Sequence, residues 1–291
     1  MIMSTHQTAK TQYVSASNGT FAYRHFGLVQ AGQTPLLCLI HFRGTMDKWD
    51  PLLINSLAAY REVILVDYLG VGQSSGRVAT SFRESAEDIA GFLASIDVSR
   101  VDILGFSIGA FVAQMIALNY SEQGKLEVEH LIICGSSSSV GPDMPVTAND
   151  YITPATTGTL TVDGFKALFF PRNLVGERAA DDWWTRTKER NAEASGEEPS
   201  DWGSQDLRDE GRAMQAQGQA YAAFLGEETS QEREGSYARL HELSMPVLVA
   251  QGAVSDGLTC TMSSMLIWSR TTLCSPPSTA SISSRRCQMD N

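Results

Sequence analysis

The segment 101–109 constrains the fold of this chain most strongly, because it joins an apolar strand to a helix through a sharp turn. It reads Val-Asp-Ile-Leu-Gly-Phe-Ser-Ile-Gly, and the largely apolar helical pattern of Ile108–Asn119 continues from it. In a G-x-S-x-G turn the glycines let the backbone pass sharply from strand to helix, so that the Ser107 hydroxyl is exposed at the apex. Such a serine can act as a nucleophile, and the backbone N–H of Ile108 at the helix start can stabilise an oxyanion.

The remaining apolar runs predict the sheet to which this turn belongs. Tyr13–Ala16 and Thr20–His25 flank Ser17-Asn18-Gly19, which is typical of an opening hairpin. Runs that are apolar on both faces are typical of a parallel sheet covered by helices. Such runs of strand length occur at Leu36–Ile40, Val63–Asp67, Val101–Leu104, Leu131–Cys134 and Val247–Gln251. Because helical patterns separate them, we predict an α/β fold with a mostly parallel, doubly wound sheet.

Residues 141–240 interrupt this alternation with helical patches and acidic joints. We predict a helical lid inserted between the sixth and seventh strands, over the carboxyl ends of the strands, where ligands bind in such folds. The predicted organisation is a disordered tail over 1–12, the first part of the core over 13–140, the helical lid over 141–240, the rest of the core over 241–256 and an atypical tail over 257–291.

The loop after the predicted strand Leu36–Ile40 is a candidate partner for Ser107. His41-Phe42-Arg43-Gly44 follows Leu36–Ile40 and can place a second backbone N–H, from Phe42 or Arg43, opposite the serine. The alternative is a simple strand-to-helix turn. We expect His41 to organise this loop rather than to act as a base.

A second loop, 67–74, is rich in glycine. It is interpreted as a structural turn, with a phosphate loop as the weaker alternative.

Three of these segments, in their order and spacing, resemble the α/β-hydrolase fold superfamily, in particular its small serine esterase, haloperoxidase-like and C–C hydrolase members. The segments are His41–Pro51, Asp67–Gly76 and Gly105–Ala117. The resemblance extends over about residues 10–256 and is loose across 141–240. It implies a serine, aspartate and histidine triad, in which Ser107 matches the nucleophile and Asp256 matches the acid. Asp143 is the alternative acid.

The histidine that this resemblance implies is missing from its expected place. Members of the family carry it after the acid, beyond an eighth strand, whereas no histidine follows His241 in this sequence. The tail 257–291 is rich in Ser, Thr, Arg and Cys. We therefore expect the eighth strand and the last helix to be missing or disrupted. A reading-frame error or splice artefact near residues 256–261 is the favoured explanation, and a genuine product that has lost its base is the alternative.

Composition excludes several classes of partner. A net charge of −11 argues against nucleic acid and anionic membrane surfaces. No apolar run reaches the roughly 18 residues of a membrane span, and the first residues lack the apolar core of a secretory signal. The five cysteines show neither paired nor metal-ligand spacing. We therefore expect a cytoplasmic protein with no metal and no cofactor, and the sequence leaves the oligomeric state open.

The resulting functional hypothesis is a serine hydrolase that acts on a small ester, thioester or activated ketone, impaired by the missing histidine. His41, Trp183 and Trp184 are the candidate substrate-binding residues. Phe169, Phe170 and Tyr221 are further candidates for the same pocket, although lid aromatics often only pack together. The alternatives are a non-catalytic ligand-binding protein, a cofactor-free oxygenase on the same fold, and a short-lived product with an open sheet edge at Val247–Gln251.

Overall fold

An eight-stranded sheet forms the centre of the protein. The computed structural model describes residues 4–121, 126–141, 156–226, 234–252 and 262–268. The strands are β1 (Gln12–Ala16), β2 (Gly19–Gly27), β3 (Leu36–Leu39), β4 (Glu62–Val66), β5 (Arg100–Phe106), β6 (Glu127–Cys134), β7 (Val247–Gly252) and β8 (Met262–Trp268). They lie side by side in the order β1-β2-β4-β3-β5-β6-β7-β8.

The inner strands of this sheet run parallel. β3 lies between β4 and β5, with Leu36 opposite Val63 on one side and Asp102 on the other. β5 pairs in parallel with β6, and β6 with β7. The opening hairpin β1–β2 and its contact with β4 are antiparallel. The α/β-hydrolase fold, with its mostly parallel sheet and opening hairpin, is confirmed.

Helices cover the sheet and bury its strands on both faces, as the apolar runs predict. They are α1 (Pro51–Ala58), α2 (Phe82–Ser95) and α3 (Ile108–Asn119) in the first half of the chain. β3 is almost completely buried, and so is α3 from Ile108 to Leu118. Because α3 has no solvent face, its start is fixed firmly against the sheet.

A second group of helices comes between β6 and β7, as predicted. It comprises α4 (Val162–Phe169), α5 (Leu174–Arg186), α6 (Ala192–Ser195) and α7 (Arg212–Phe224). We call residues 156–226 the helical insertion. Phe224 of α7 packs against Phe82 of α2 and Phe111 of α3, with ring centroids 5.3 and 4.7 Å away. The insertion is thereby attached to α2 and to α3, the helix that begins next to Ser107.

The prediction of a disordered tail over residues 1–12 is wrong for residues 4–12. His6 is fully buried; its backbone N–H donates to Asn55 Oδ1 at 2.8 Å and its Nε2 lies 3.1 Å from the Met46 carbonyl oxygen. Burial lowers the pKa of His6 to about 4. Polar contacts to distant residues hold this segment, and such contacts leave no hydrophobic period in the sequence.

The expected loss of the eighth strand also needs correction. β8 pairs antiparallel with β7, with Val247 opposite Trp268, so β7 is not an open edge. The sequence Met265-Leu266-Ile267-Trp268 supplies an apolar run, but Ser263-Ser264 before it obscures the strand pattern. The expected loss of the last helix concerns residues outside the described part of the chain. Within the described residues, no helix combines the length and apolar character that a bilayer span requires.

Candidate active site

Ser107 lies in a strained turn at the carboxyl end of β5. Its backbone adopts φ 56° and ψ −122°, a conformation that costs a residue with a side chain about 1–3 kcal/mol. Its N–H donates to the Cys134 carbonyl oxygen of β6 at 3.0 Å. The residue is half-buried. The surrounding sheet therefore holds the serine in a conformation that it would not adopt alone.

The two glycines of the turn are required because any side chain at their positions would clash with neighbouring backbone atoms. A Cβ at Gly105 would lie 2.4 Å from the Gly109 carbonyl oxygen, and one at Gly109 would lie 2.1 Å from that of Leu39. Both distances are far below van der Waals contact. The G-x-S-x-G pattern thus allows α3 to approach β3 and β5 closely enough to present Ser107.

No histidine hydrogen-bonds to the Ser107 hydroxyl within the described residues, which include all five histidines. Four of them have other partners: His6 and His41 contact the backbone carbonyls of Met46 and Phe42, and His25 and His130 pair with Glu62 and Asp102. His241 is exposed in a 3-10 turn. The candidate acids Asp256 and Asp143 lie outside the described residues.

His41 is a buried, neutral imidazole. Its Nδ1 lies 2.9 Å from the Phe42 carbonyl oxygen; because a carbonyl only accepts, this nitrogen carries the proton. Burial lowers the pKa of His41 to about 4. These contacts agree with the interpretation of His41 as a loop-organising residue.

Replacing His41 with phenylalanine is expected to remove part of the acid sensitivity of the protein. In the unfolded chain a histidine takes up a proton near pH 6.5, whereas native His41 does so near pH 4. Its contribution to stability is therefore lost as the pH falls from about 6.5 to 4, by up to about 3 kcal/mol. Urea unfolding at pH 7, 5.5 and 4 should show the deficit of the variant shrinking with acid. An unchanged acid sensitivity in His41→Phe, matching that of the exposed-site control His241→Gln, would contradict this assignment.

Arg43 carries one of the backbone N–H groups proposed for the oxyanion. That N–H donates to the Oε1 atom of Gln217 in α7 at 2.8 Å. Arg43 is fully buried and has a φ of 61°. Of the predicted oxyanion donors Phe42, Arg43 and Ile108, Arg43 thus already has an acceptor in the helical insertion. Sequence reasoning missed Gln217, because no local pattern links residues so far apart.

The guanidinium group of Arg43 connects this loop to the helical insertion. Burial lowers the pKa of Arg43, and the backbone N–H of Gly203 returns a bond to the Arg43 carbonyl at 2.8 Å. The guanidinium donates to four backbone carbonyls, those of Gly203 at 2.6 Å, Thr157 at 2.6 Å, Gly158 at 3.0 Å and Ser204 at 3.0 Å. The loop and the insertion therefore form one hydrogen-bonded unit.

The three candidate substrate-binding residues lie in one group of aromatic side chains. We call His41, Phe106, Phe165, Phe169, Trp183, Trp184 and Trp202 the aromatic cluster. The ring centroids of Trp183 and Trp184 lie 5.0 and 5.7 Å from that of Phe165. The Phe165 centroid in turn lies 5.8 Å from that of His41. Phe106, next to Ser107 in sequence, lies 5.5 Å from His41. The cluster thus extends from the helical insertion to the residue before the serine.

The sequence did not identify all members of this cluster. Phe165 and Phe169 lie four residues apart on α4, a spacing that could have indicated a shared face. Trp202 comes from a loop and carried no such signal. Tyr221 lies elsewhere and packs against Phe111 at 6.0 Å.

The glycine-rich loop after β4 acts as a structural turn, in agreement with the sequence. Asp67 accepts from the N–H groups of Met46 at 2.7 Å and Gln73 at 2.8 Å. Gly72 has a φ of 59°, and a Cβ there would lie 2.2 Å from Asp67 Oδ2. Burial raises the pKa of Asp67 to about 7. Through Asp67 this loop supports the segment that follows His41.

One group with metal-ligand atoms occurs among the described residues: Asp102, Glu129 and His130. Asp102 pairs with Arg61 at 2.5 Å and with His130 at 2.8 Å. Glu129 pairs with Arg100 and accepts from Thr34. Since these partners already hold the carboxylates, a cation would have to displace them.

The first half of the chain matches a family model described as the alpha/beta hydrolase fold, over residues 35–174. Two curated relatives match shorter parts. The (lyso)-N-acylphosphatidylethanolamine lipase of Mus musculus is 35% identical over 111 residues, which are 36% of this chain and 30% of the lipase. The proline iminopeptidase PfmaB of Pestalotiopsis fici is 31% identical over 132 residues, 44% of each chain. The matched part thus spans less than half the length of these relatives.

Solved structures match over most of the chain. An alpha/beta hydrolase fold protein from Chitinophaga pinensis has a TM-score of 0.70 and 28% identity, covering 86% of this chain and 82% of its own. The enol-lactonase from Burkholderia xenovorans has a TM-score of 0.56 and 15% identity, covering 82% and 80%. The second likeness concerns the fold alone.

Proposed function

We propose that this chain, which has the α/β-hydrolase fold and matches the alpha/beta hydrolase family model over residues 35–174, is a serine hydrolase of small esters, thioesters or activated ketones. The observation that supports this most is the strained backbone of Ser107 at the end of β5, next to the start of α3. A strained residue at this place is typical of a nucleophile turn. The helical insertion serves as the lid in this proposal.

The reaction would begin with attack of the Ser107 hydroxyl oxygen on the substrate carbonyl carbon. A bond forms between these atoms, the carbonyl oxygen becomes an oxyanion, and the leaving group departs to give an acyl-serine that water later hydrolyses. The N–H groups of Ile108 and of the loop at Phe42 and Arg43 would hold the oxyanion. In a complete triad, Asp256 would orient a histidine that takes the serine proton and passes it to the leaving group.

The base is the weak point of this mechanism. No histidine follows His241 in the sequence, and His41 is held by its own loop. Loss of one triad member typically lowers kcat by about 10⁴- to 10⁶-fold. We therefore expect slow turnover by this sequence.

Labelling with a fluorophosphonate tests the proposal. We expect a slow, stoichiometric adduct on Ser107, seen by intact-protein mass and located by peptide mapping. Ser107→Ala should remove the adduct, whereas Ser95→Ala, at an exposed serine of α2, should leave the rate unchanged. An adduct confined to other residues, or no adduct, would refute the nucleophile role. Rapid labelling would show that another base assists Ser107.

A non-catalytic binding protein is the second candidate, favoured by the lack of a histidine bonded to Ser107 in the described residues and by the occupied N–H of Arg43. The aromatic cluster would then hold an apolar ligand without cleaving it. Saturable binding of a small aromatic ester, with no product after long incubation, would support this candidate over the hydrolase.

A further inference from the structure

Gln217 makes a contact that the reaction outlined above would have to break. Its Oε1 accepts the Arg43 N–H at 2.8 Å, across 174 residues of sequence, and the residue is almost completely buried. Because a backbone N–H only donates, the carbonyl end of the amide must face Arg43. An acceptor atom of the protein therefore stands where a substrate oxyanion would be bound.

The surroundings of this contact are fixed on both sides. The Arg43 guanidinium anchors the loop to four backbone carbonyls of the helical insertion. On the other side Ala220 and Phe224 bury α7 against α2 and α3. The part of this contact that can rotate is the Gln217 side chain, through its own rotatable bonds.

Gln217 also shares a cleft with Ile108, the other residue proposed as an oxyanion donor. It lines a mainly apolar cleft together with Ile108, Phe82 and Val112. A rotation of the Gln217 side chain toward this cleft would free the Arg43 N–H.

We propose that Gln217 occupies the oxyanion site in the free protein and that the reacting carbonyl displaces it. This inference rests on the proposed function. The hydrogen bond from a backbone N–H to a neutral amide oxygen is about half as strong as one to an oxyanion. Gln217 therefore competes well with the neutral carbonyl of a bound substrate and poorly with the charged transition state. It acts as a competitor for the Arg43 N–H, whose displacement the charged transition state must offset.

Two probes test this inference, a fluorophosphonate on the intact protein and butyrate on the Ser107→Ala variant. Gln217→Met keeps the side-chain length and removes the competing acceptor. It should raise the labelling rate and tighten butyrate binding by roughly three- to tenfold, the worth of one hydrogen bond. Gln217→Glu keeps the shape of the side chain and supplies a stronger acceptor, so it should lower the labelling rate and weaken butyrate binding. Gln219→Met, at an exposed position of the same helix, should change neither.

The outcomes separate the two proposals. Faster labelling or tighter butyrate binding in Gln217→Met supports the role of Gln217, even if the fluorophosphonate labels no variant at Ser107 and the nucleophile role fails. Ser107-dependent labelling with neither change in Gln217→Met overturns the role of Gln217 and leaves the hydrolase proposal intact. If Gln217→Met does not fold, Gln217→Glu decides the matter. The inference is overturned if this variant is labelled at least as fast as the unchanged protein and binds butyrate at least as tightly.

Discussion

Replacing Arg43 with methionine is expected to lower the free energy of unfolding by about 3–5 kcal/mol. The guanidinium is fully buried and donates to four backbone carbonyls of the helical insertion. Methionine fills a similar volume but removes the guanidinium donors, although the Gly158 and Ser204 carbonyls still accept from the N–H groups of Asp206 and Leu207. Chemical denaturation followed by circular dichroism would measure the loss, and limited proteolysis would show whether the insertion detaches first.

The matched control for Arg43 is Arg208, an arginine of the same insertion. Arg208 is 67% exposed and pairs with Asp201 at 3.0 Å and Asp206 at 3.3 Å. Because exposed ion pairs contribute little, Arg208→Met should cost less than about 1 kcal/mol. A loss in Arg43→Met no larger than that in Arg208→Met would show that the buried contacts of Arg43 do not hold the insertion.

The core of this fold could be predicted from the sequence because its signal is local. The run Leu36–Ile40 is apolar at every position and becomes the fully buried strand β3. The turn at Ser107 could also be predicted, because the close approach of neighbouring backbone atoms requires glycine at positions 105 and 109. In both places one physical requirement, burial or close approach, acts on consecutive residues.

The polar contacts that shape the candidate site could not be predicted in this way. Gln217 and Arg43 meet across 174 residues, and Arg190 donates to the Ala9 carbonyl across 181. A buried polar side chain is satisfied by whichever partner the finished fold brings near it, and no periodicity in the sequence records that partner. The prediction that the eighth strand is lost was wrong because the serines before β8 interrupt its apolar run.

Asp47 joins three parts of the chain that are distant in sequence. Its Oδ1 lies 2.7 Å from Arg24 of β2 and 3.0 Å from Arg190 of the helical insertion. Its Oδ2 accepts from the Ser200 N–H at 2.7 Å. Arg190 also donates to the Ala9 carbonyl at 2.8 Å, which holds the segment before β1. Burial alone would raise the pKa of Asp47, but the attraction of Arg24 and Arg190 and the hydrogen bonds outweigh it and lower the pKa.

Asp47→Asn is therefore expected to cost about 3–5 kcal/mol of stability at pH 7, because two fully buried arginines lose their shared carboxylate. Since the native pKa of Asp47 is lowered, its contribution is complete above about pH 5 and is lost in acid. The difference from the wild type should thus shrink in urea titrations near pH 3. Trypsin should also cleave after Lys10 faster in the variant, as the segment before β1 is released. Asp181→Asn, at an exposed ion pair with Lys166, should leave the midpoint and the cleavage unchanged, and an equal effect of both variants would refute the role of the buried network.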